Sequence, residues 1–172
     1  MKTIRTLFAA TLFTIAGLSY AQPGDYMNLQ LGISDVDGYD EGFAAIGTFG
    51  RPVPSVHENF SLEGEVTTTI ADPDTTVAGT GVEVSYFTLG AYGVYTHPVN
   101  NYLNLRGRAG LVYYDTDVST SGAGIRASDD GIDPSFGFGV TYNLNKKMDL
   151  IAEYTIIESD ISHLSAGIQY RF

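Results

Sequence analysis

The chain has no cysteine and no tryptophan, and only nine Lys and Arg against twenty Asp and Glu. Without cysteine there is no disulfide framework and no thiolate metal site. With so few bases and a formal charge of −11 there is no basic patch for a phosphate backbone, which argues against nucleic-acid binding. No apolar run is long enough for a membrane-spanning helix. Leu7–Leu18, broken by Thr11, Thr14 and Gly17, falls short of the roughly 20 residues required. Catalytic signatures are equally scarce: no HExxH and no glycine-rich phosphate loop occurs. The stretch Ser159-Asp160-Ile161-Ser162-His163 gathers Ser, Asp and His, but a triad is recognised by geometry, and a polar loop explains it better. The chain is therefore read as a non-enzyme with no cofactor.

What is present begins with a leader. Lys2 and Arg5 precede the Leu7–Leu18 run, and Ser19-Tyr20-Ala21 supplies small residues at the positions a signal peptidase reads. A secretory signal peptide over residues 1–21 is predicted, leaving 151 residues, one domain's worth, with a formal charge of −13.

Apolar residues make up 44% of the chain, yet they fall at alternate positions. A side-chain period of two predicts strands with one greasy face. Eight are predicted: Tyr26–Ser34, Phe43–Gly50, Asn59–Ala71, Gly81–Tyr95, Tyr102–Tyr114, Pro134–Leu144, Met148–Ile157 and His163–Phe172. In the fourth, Val82, Val84 and Tyr86 oppose Glu83 while Phe87 and Leu89 share its face, so a bulge near Tyr86-Phe87 is expected to switch the faces. Asp115–Asp133 is expected to be the longest connection, and Pro52–Glu58, His97–Asn101 and Asn145–Lys147 short turns.

The polar faces carry Glu63, Glu65, Arg106, Arg108, Glu153 and Arg171, with Glu83 a further candidate. Inside a narrow eight-stranded barrel these charges would have to pair, because an unpaired buried charge is costly. They are predicted to form a structural ion-pair network that plugs the lumen. Tyr26, Phe60, Tyr95, Tyr102, Tyr113, Tyr142, Tyr154, Tyr170 and Phe172 lie near strand ends and suggest an interfacial aromatic girdle. The longer connections carry thirteen acids (Asp35, Asp37, Asp40, Glu41, Asp72, Asp74, Asp115, Asp117, Asp129, Asp130, Asp133, Glu158, Asp160) against one base, Arg126. Such oxygen clusters suit hard cations, but neither Asp35–Glu41 nor Asp129–Asp133 has the EF-hand spacing. They are read as solvated loop tips, and no metal ligands are assigned.

The last strand alternates without a fault. Leu164, Ala166, Ile168, Tyr170 and Phe172 are apolar, and His163, Ser165, Gly167, Gln169 and Arg171 lie between them. This ending resembles the closing strand of Gram-negative outer-membrane barrels. So do Leu89–Tyr95, Asp133–Gly139 and Asp149–Tyr154. The whole chain after the leader is similar to the OmpA/OmpX-like "outer membrane protein beta-barrel" family. The resemblance implies an all-β, eight-stranded antiparallel up-and-down transmembrane barrel in the cell outer membrane, with a structural or surface-interaction role. It makes Ile168, Tyr170 and Phe172 an assembly signal. It implies outer-membrane lipid and lipopolysaccharide as surroundings, the barrel-assembly machinery and periplasmic chaperones as partners, and a monomer. The chain stops at Phe172 with no peptidoglycan-binding segment after the barrel, so that anchoring role is not expected.

Two other readings remain open at this point. One is a small porin-like channel for ions or solutes. The other is a soluble lipocalin-like barrel with its apolar set inward around an apolar ligand. Alternation alone does not tell inside from outside. The terminal aromatic, the glycine-rich polar faces and the one-sided acidic loops favour the membrane barrel.

Overall fold

The computed structural model describes residues 21–36, 42–71, 74–77, 80–120, 126–158 and 161–172. The predicted leader, residues 1–20, lies outside them. Among the described residues there are nine strand segments: β1 (Tyr26–Val36), β2 (Gly42–Pro52), β3 (Phe60–Ala71), β4 (Asp74–Val77), β5 (Thr80–Pro98), β6 (Leu103–Thr120), β7 (Arg126–Asn143), β8 (Met148–Glu158) and β9 (Ile161–Arg171). Segments β3 and β4 both pair with β5, so they form one interrupted stave. Every pairing is antiparallel, β1 joins β9, and β3 joins β5, which closes an eight-stranded up-and-down barrel. Closure leaves no free edge in the barrel wall, and among the described residues β7 before Phe136, beyond the β7–β8 pairing, is paired with β6 alone.

The register sets the barrel's width. A path crossing the strands at right angles from Gly42 runs through Ser34, His163, Thr155, Gly137, Arg108, Val94 and Ser61 and returns to β2 at Pro52. The return is ten residues further along the same strand. Ten residues of stagger over eight strands give a tilt of about 40° and a Cα radius of about 8 Å. A bore of that size is one side chains can fill. At that tilt the eleven-residue strands rise about 27 Å, enough for a membrane's apolar band.

The wall is apolar outward and polar inward. Leu29, Leu31, Leu62, Leu105, Leu111, Phe138 and Leu164 are exposed, while Asn28, Gln30, Glu63, Arg106, Glu153 and Gln169 are buried. A soluble barrel holding an apolar ligand needs the reverse arrangement.

Three sequence expectations are corrected. No bulge occurs at Tyr86-Phe87: β5 pairs with β6 without interruption from Val82 to Pro98. Both faces of β5 are partly apolar because Tyr86, Tyr92 and Val94 point into the lumen. The ring of Tyr92 packs where Gly90 and Gly110 have no side chains, and a Cβ at Gly110 would also strike the carbonyl of Ala91. The register breaks instead at Phe43/Ala44 between β2 and β3 and at Ile156/Glu158 between β8 and β9. On both sides of residues 121–125, the expected Asp115–Asp133 loop is strand. Strands β6 and β7 stay paired as far as Ser119 with Arg126, while β7 meets β8 only from Phe136 onward. Asp115, Asp117 and Ser119, alternating with Thr116, Val118 and Thr120, hid paired strands that run past the β7–β8 pairing. Finally, Tyr26 is not an interfacial aromatic. It has the parity of Asn28 and Gln30 and is buried in the lumen. Tyr95, Tyr102, Tyr113, Tyr142 and Tyr170 are exposed, and Tyr102 stacks on Tyr142 with centroids 6.1 Å apart.

Candidate functional site in the barrel lumen

Five charged side chains meet at the centre of the lumen. Glu63 and Glu65 stand on β3, Arg106 and Arg108 on β6, and Glu153 on β8. Cross-strand register brings them into range, and glycine clears the space. Arg106, Gly139 and Glu153 fall on one row, as do Arg108, Gly137 and Thr155. With glycine between them, the long side chains reach across β7. A Cβ at Gly139 would collide with the carbonyl of Ala152 and the backbone of Glu153.

Arg106 donates through Nη2 to both Glu63 oxygens at 2.6 and 2.7 Å and through Nε to Glu153 at 2.8 Å. Arg108 binds both oxygens of Glu65, through Nη1 to Oε2 and through Nη2 to Oε1 at 3.1 Å. Its Nε lies 3.0 Å from Glu153, and its Nη2 donates to Thr155 at 3.0 Å. All five side chains are at most 2% exposed. The result is one alternating chain, Glu65–Arg108–Glu153–Arg106–Glu63, with three carboxylates on two guanidinium groups. Paired and hydrogen-bonded at this burial, the charges are held far more tightly than surface pairs.

Neutral groups complete the cluster. The Tyr26 hydroxyl donates to Glu63 at 2.7 Å, and the Arg108 guanidinium lies 4.1 Å from the centre of the Tyr92 ring. Tyr92 in turn hydrogen-bonds Ser135 at 3.1 Å. Towards the hairpin end, Tyr86 hydroxyl and His163 Nε2 are hydrogen-bonded and their rings stack. Towards the short-turn end, a polar vestibule of about 180 Å³ reaches Arg106 from the opening.

Arg171 sits apart from the central chain. It donates to Asp149 at 2.6 Å beside this vestibule, with its side chain 36% exposed, and Gln169 holds the other Asp149 oxygen at 3.0 Å. Arg51 clasps Asp25 at the same rim through Nε at 3.0 Å and Nη2 at 2.7 Å. That hydrogen-bonded clasp holds the Asp25 carboxyl below its ordinary range.

Sequence reasoning did not find Tyr26, Tyr92, Thr155 or Asp149. Their parity on each strand was the available signal, but aromatic and neutral residues on a polar face did not stand out beside Glu and Arg. The side chain of Glu83 lies outside those described. Of the residues expected to form an assembly signal, Ile168 and Tyr170 are on the outer wall, and Phe172 packs edge-on against Tyr170 at 5.3 Å. Of the Ser159–His163 stretch, read as a polar loop rather than a triad, Ser159 and Asp160 lie outside the described residues, and His163 is on β9 and buried in the lumen. Of the acidic loop residues, Asp37, Asp40, Glu41, Asp72 and Asp160 also fall outside. So do the side chains of Asp35, Asp74, Asp117, Asp129 and Glu158. Most of Asp35–Glu41 lies outside the described residues, and Asp129–Asp133 is a strand paired with Val112–Thr116 of β6 rather than a loop.

A family model, "Outer membrane protein beta-barrel domain", matches residues 6–172. No curated protein matches the chain. Among solved structures, Neisserial surface protein A superposes with a TM-score of 0.69 at 17% identity, over 87% of this chain and 97% of that one. OprG of Pseudomonas aeruginosa gives 0.65 at 14% identity, over 88% and 97%. Ail of Yersinia pestis, in complex with the heparin analogue sucrose octasulfate, gives 0.56 at 18% identity, over 88% and 100%. At these identities the likeness is one of fold.

Proposed function

The chain belongs to the outer membrane protein beta-barrel domain family, and from that premise we propose that its lumen is closed by the Glu–Arg chain and that its working surface is the sheet projecting from the hairpin end. The lumen arrangement carries this reading. Two guanidiniums, each gripped by two carboxylates, lie across a bore whose wall is only about 8 Å in radius. Opening it to solutes would mean separating buried ion pairs. A structural or surface-interaction role then falls to the outside. With the short turns and both chain ends on the periplasmic side, as in barrels of this architecture, β5, β6 and β7 extend outward beyond their neighbours.

The charge of that surface suggests what it meets. The heparin analogue bound to Ail, sucrose octasulfate, is a polyanion. Here thirteen acids against Arg126 disfavour a polyanion and favour basic surfaces, or lipopolysaccharide bridged by divalent cations. The assembly role of Ile168, Tyr170 and Phe172, with the barrel-assembly machinery and periplasmic chaperones as partners, belongs to the same proposal. The test is a planar-bilayer recording of the refolded barrel. No stable single-channel conductance is expected for the native protein. Large, steady openings would refute the closed lumen and favour the small-channel reading.

A further inference from the structure

A groove of about 610 Å³ crosses the lipid-facing wall of the barrel. It follows one cross-strand row, Tyr95–Gly107–Phe138–Tyr154–Leu164, which spans β5 to β9. The row climbs. Tyr95 stands three residues from the periplasmic end of its strand at Pro98, and Leu164 stands seven from Arg171. The floor is low because Gly107 and, on the adjacent row, Ala152 have little or no side chain. Aromatic rings rise on either side of it, with Phe138 66% exposed and 5.6 Å from Tyr154. His97 lies at the periplasmic end of the groove, exposed, and the ring of His57 packs 5.4 Å from Tyr95 beside it.

We propose that this groove binds one acyl chain of a membrane glycerophospholipid from the periplasmic leaflet, with its phosphate at His97. Across four strand spacings the row is about 19 Å long and, at the tilt of about 40°, climbs about 12 Å, most of the roughly 15 Å of hydrocarbon in one leaflet. The lining is apolar throughout its climb, as an acyl chain requires. A polar group stands at the one end where a headgroup would be, and its imidazole can donate to a phosphate oxygen. The lining runs from His97, near the periplasmic end of β5, to Leu164 on β9, so the groove's polar end faces the periplasmic leaflet. Arg106 and Glu153 lie beneath the floor but are committed to the lumen.

Glycine provides the test. A Cβ added at Gly107 meets nothing within 4 Å, and the same holds at Gly47, another outward glycine, on β2 and away from the groove. Gly107→Phe therefore fills the groove without disturbing the wall, and Gly47→Phe is its matched control. The full barrel is extracted from membranes in mild detergent and weighed by native mass spectrometry. The native protein and Gly47→Phe are expected to carry one phospholipid per barrel, Gly107→Phe at least tenfold less, and His97→Ala several-fold less. The site is refuted if the native barrel carries no phospholipid, if Gly107→Phe retains it, if both glycine variants lose it equally, or if a dimer of this chain appears in its place. Unchanged retention in His97→Ala refutes the headgroup assignment.

Discussion

Replacing Arg106 by Met tests the lumen network most directly. The side chain is 2% exposed and bridges Glu63 and Glu153 at 2.6 and 2.8 Å. Methionine keeps much of the volume and removes the charge. At an effective dielectric near 20, each lost attraction is worth about 4 kcal/mol at a 4 Å charge separation, so about 8 kcal/mol is lost in all. Not having to desolvate the guanidinium returns several kcal/mol, and breaking one side of a buried pair typically nets about 3–5 kcal/mol. The native cluster already holds three carboxylates on two guanidiniums, and the variant leaves three on one, which places the effect towards the upper half of that range. The assay is urea unfolding of the barrel folded in lipid vesicles, read from the different gel mobilities of folded and unfolded forms. Glu63→Gln added to Arg106→Met should recover at least ~1 kcal/mol, since the neutral amide no longer needs its cation. A loss under about 1 kcal/mol for the single variant, the size expected of an exposed pair, would refute the view of the cluster as a desolvated, interlocked unit.

Other outcomes follow from the same geometry. Arg171→Met should cost clearly less than Arg106→Met in the same titration, because Arg171 is partly exposed at the vestibule and Gln169 still holds the other oxygen of the buried Asp149. Gly167→Val should destabilise by about 1–3 kcal/mol or more, because a Cβ there runs into the carbonyl of Leu29 on β1, and the backbone at the β1–β9 seam must shift. The Asp25–Arg51 clasp adds stability that is present at neutral pH and is lost as pH falls through the lowered pKa of Asp25, below 3.8. Asp25→Asn should therefore melt below the native barrel at pH 7, with the gap closing in acid. A gap that stays constant from pH 7 to pH 3 would contradict it. Shortening the β6–β7 hairpin between residues 117 and 128 should leave the urea midpoint unchanged, because the β7–β8 pairing begins only at Phe136.

Much of this protein was legible from one dimension. Alternation along His163–Phe172 and along Pro134–Leu144 determined which side chains share a face, because a strand's side chains repeat every two residues whatever the strand packs against. That was enough for the eight staves of the barrel. It also separated the charged positions Glu63, Glu65, Arg106, Arg108 and Glu153 from the apolar ones. Only the closed structure decided which face was the inside, because parity is symmetric and burial is not. Register decided the partners. Arg106 meets Glu153 and Arg171 does not join them, since the ten-residue stagger fixes the height of each row, and no local pattern encodes it. Tertiary structure also made lumen residues of Tyr26 and Tyr92, whose rings fill space left by glycines on other strands. It turned the acidic Asp115–Asp133 segment into a hairpin, since Asp and Ser read as loop until a partner strand pairs their backbone. The sequence by itself settled the period and the faces. The stagger, a property of the whole ring, decided who touches whom.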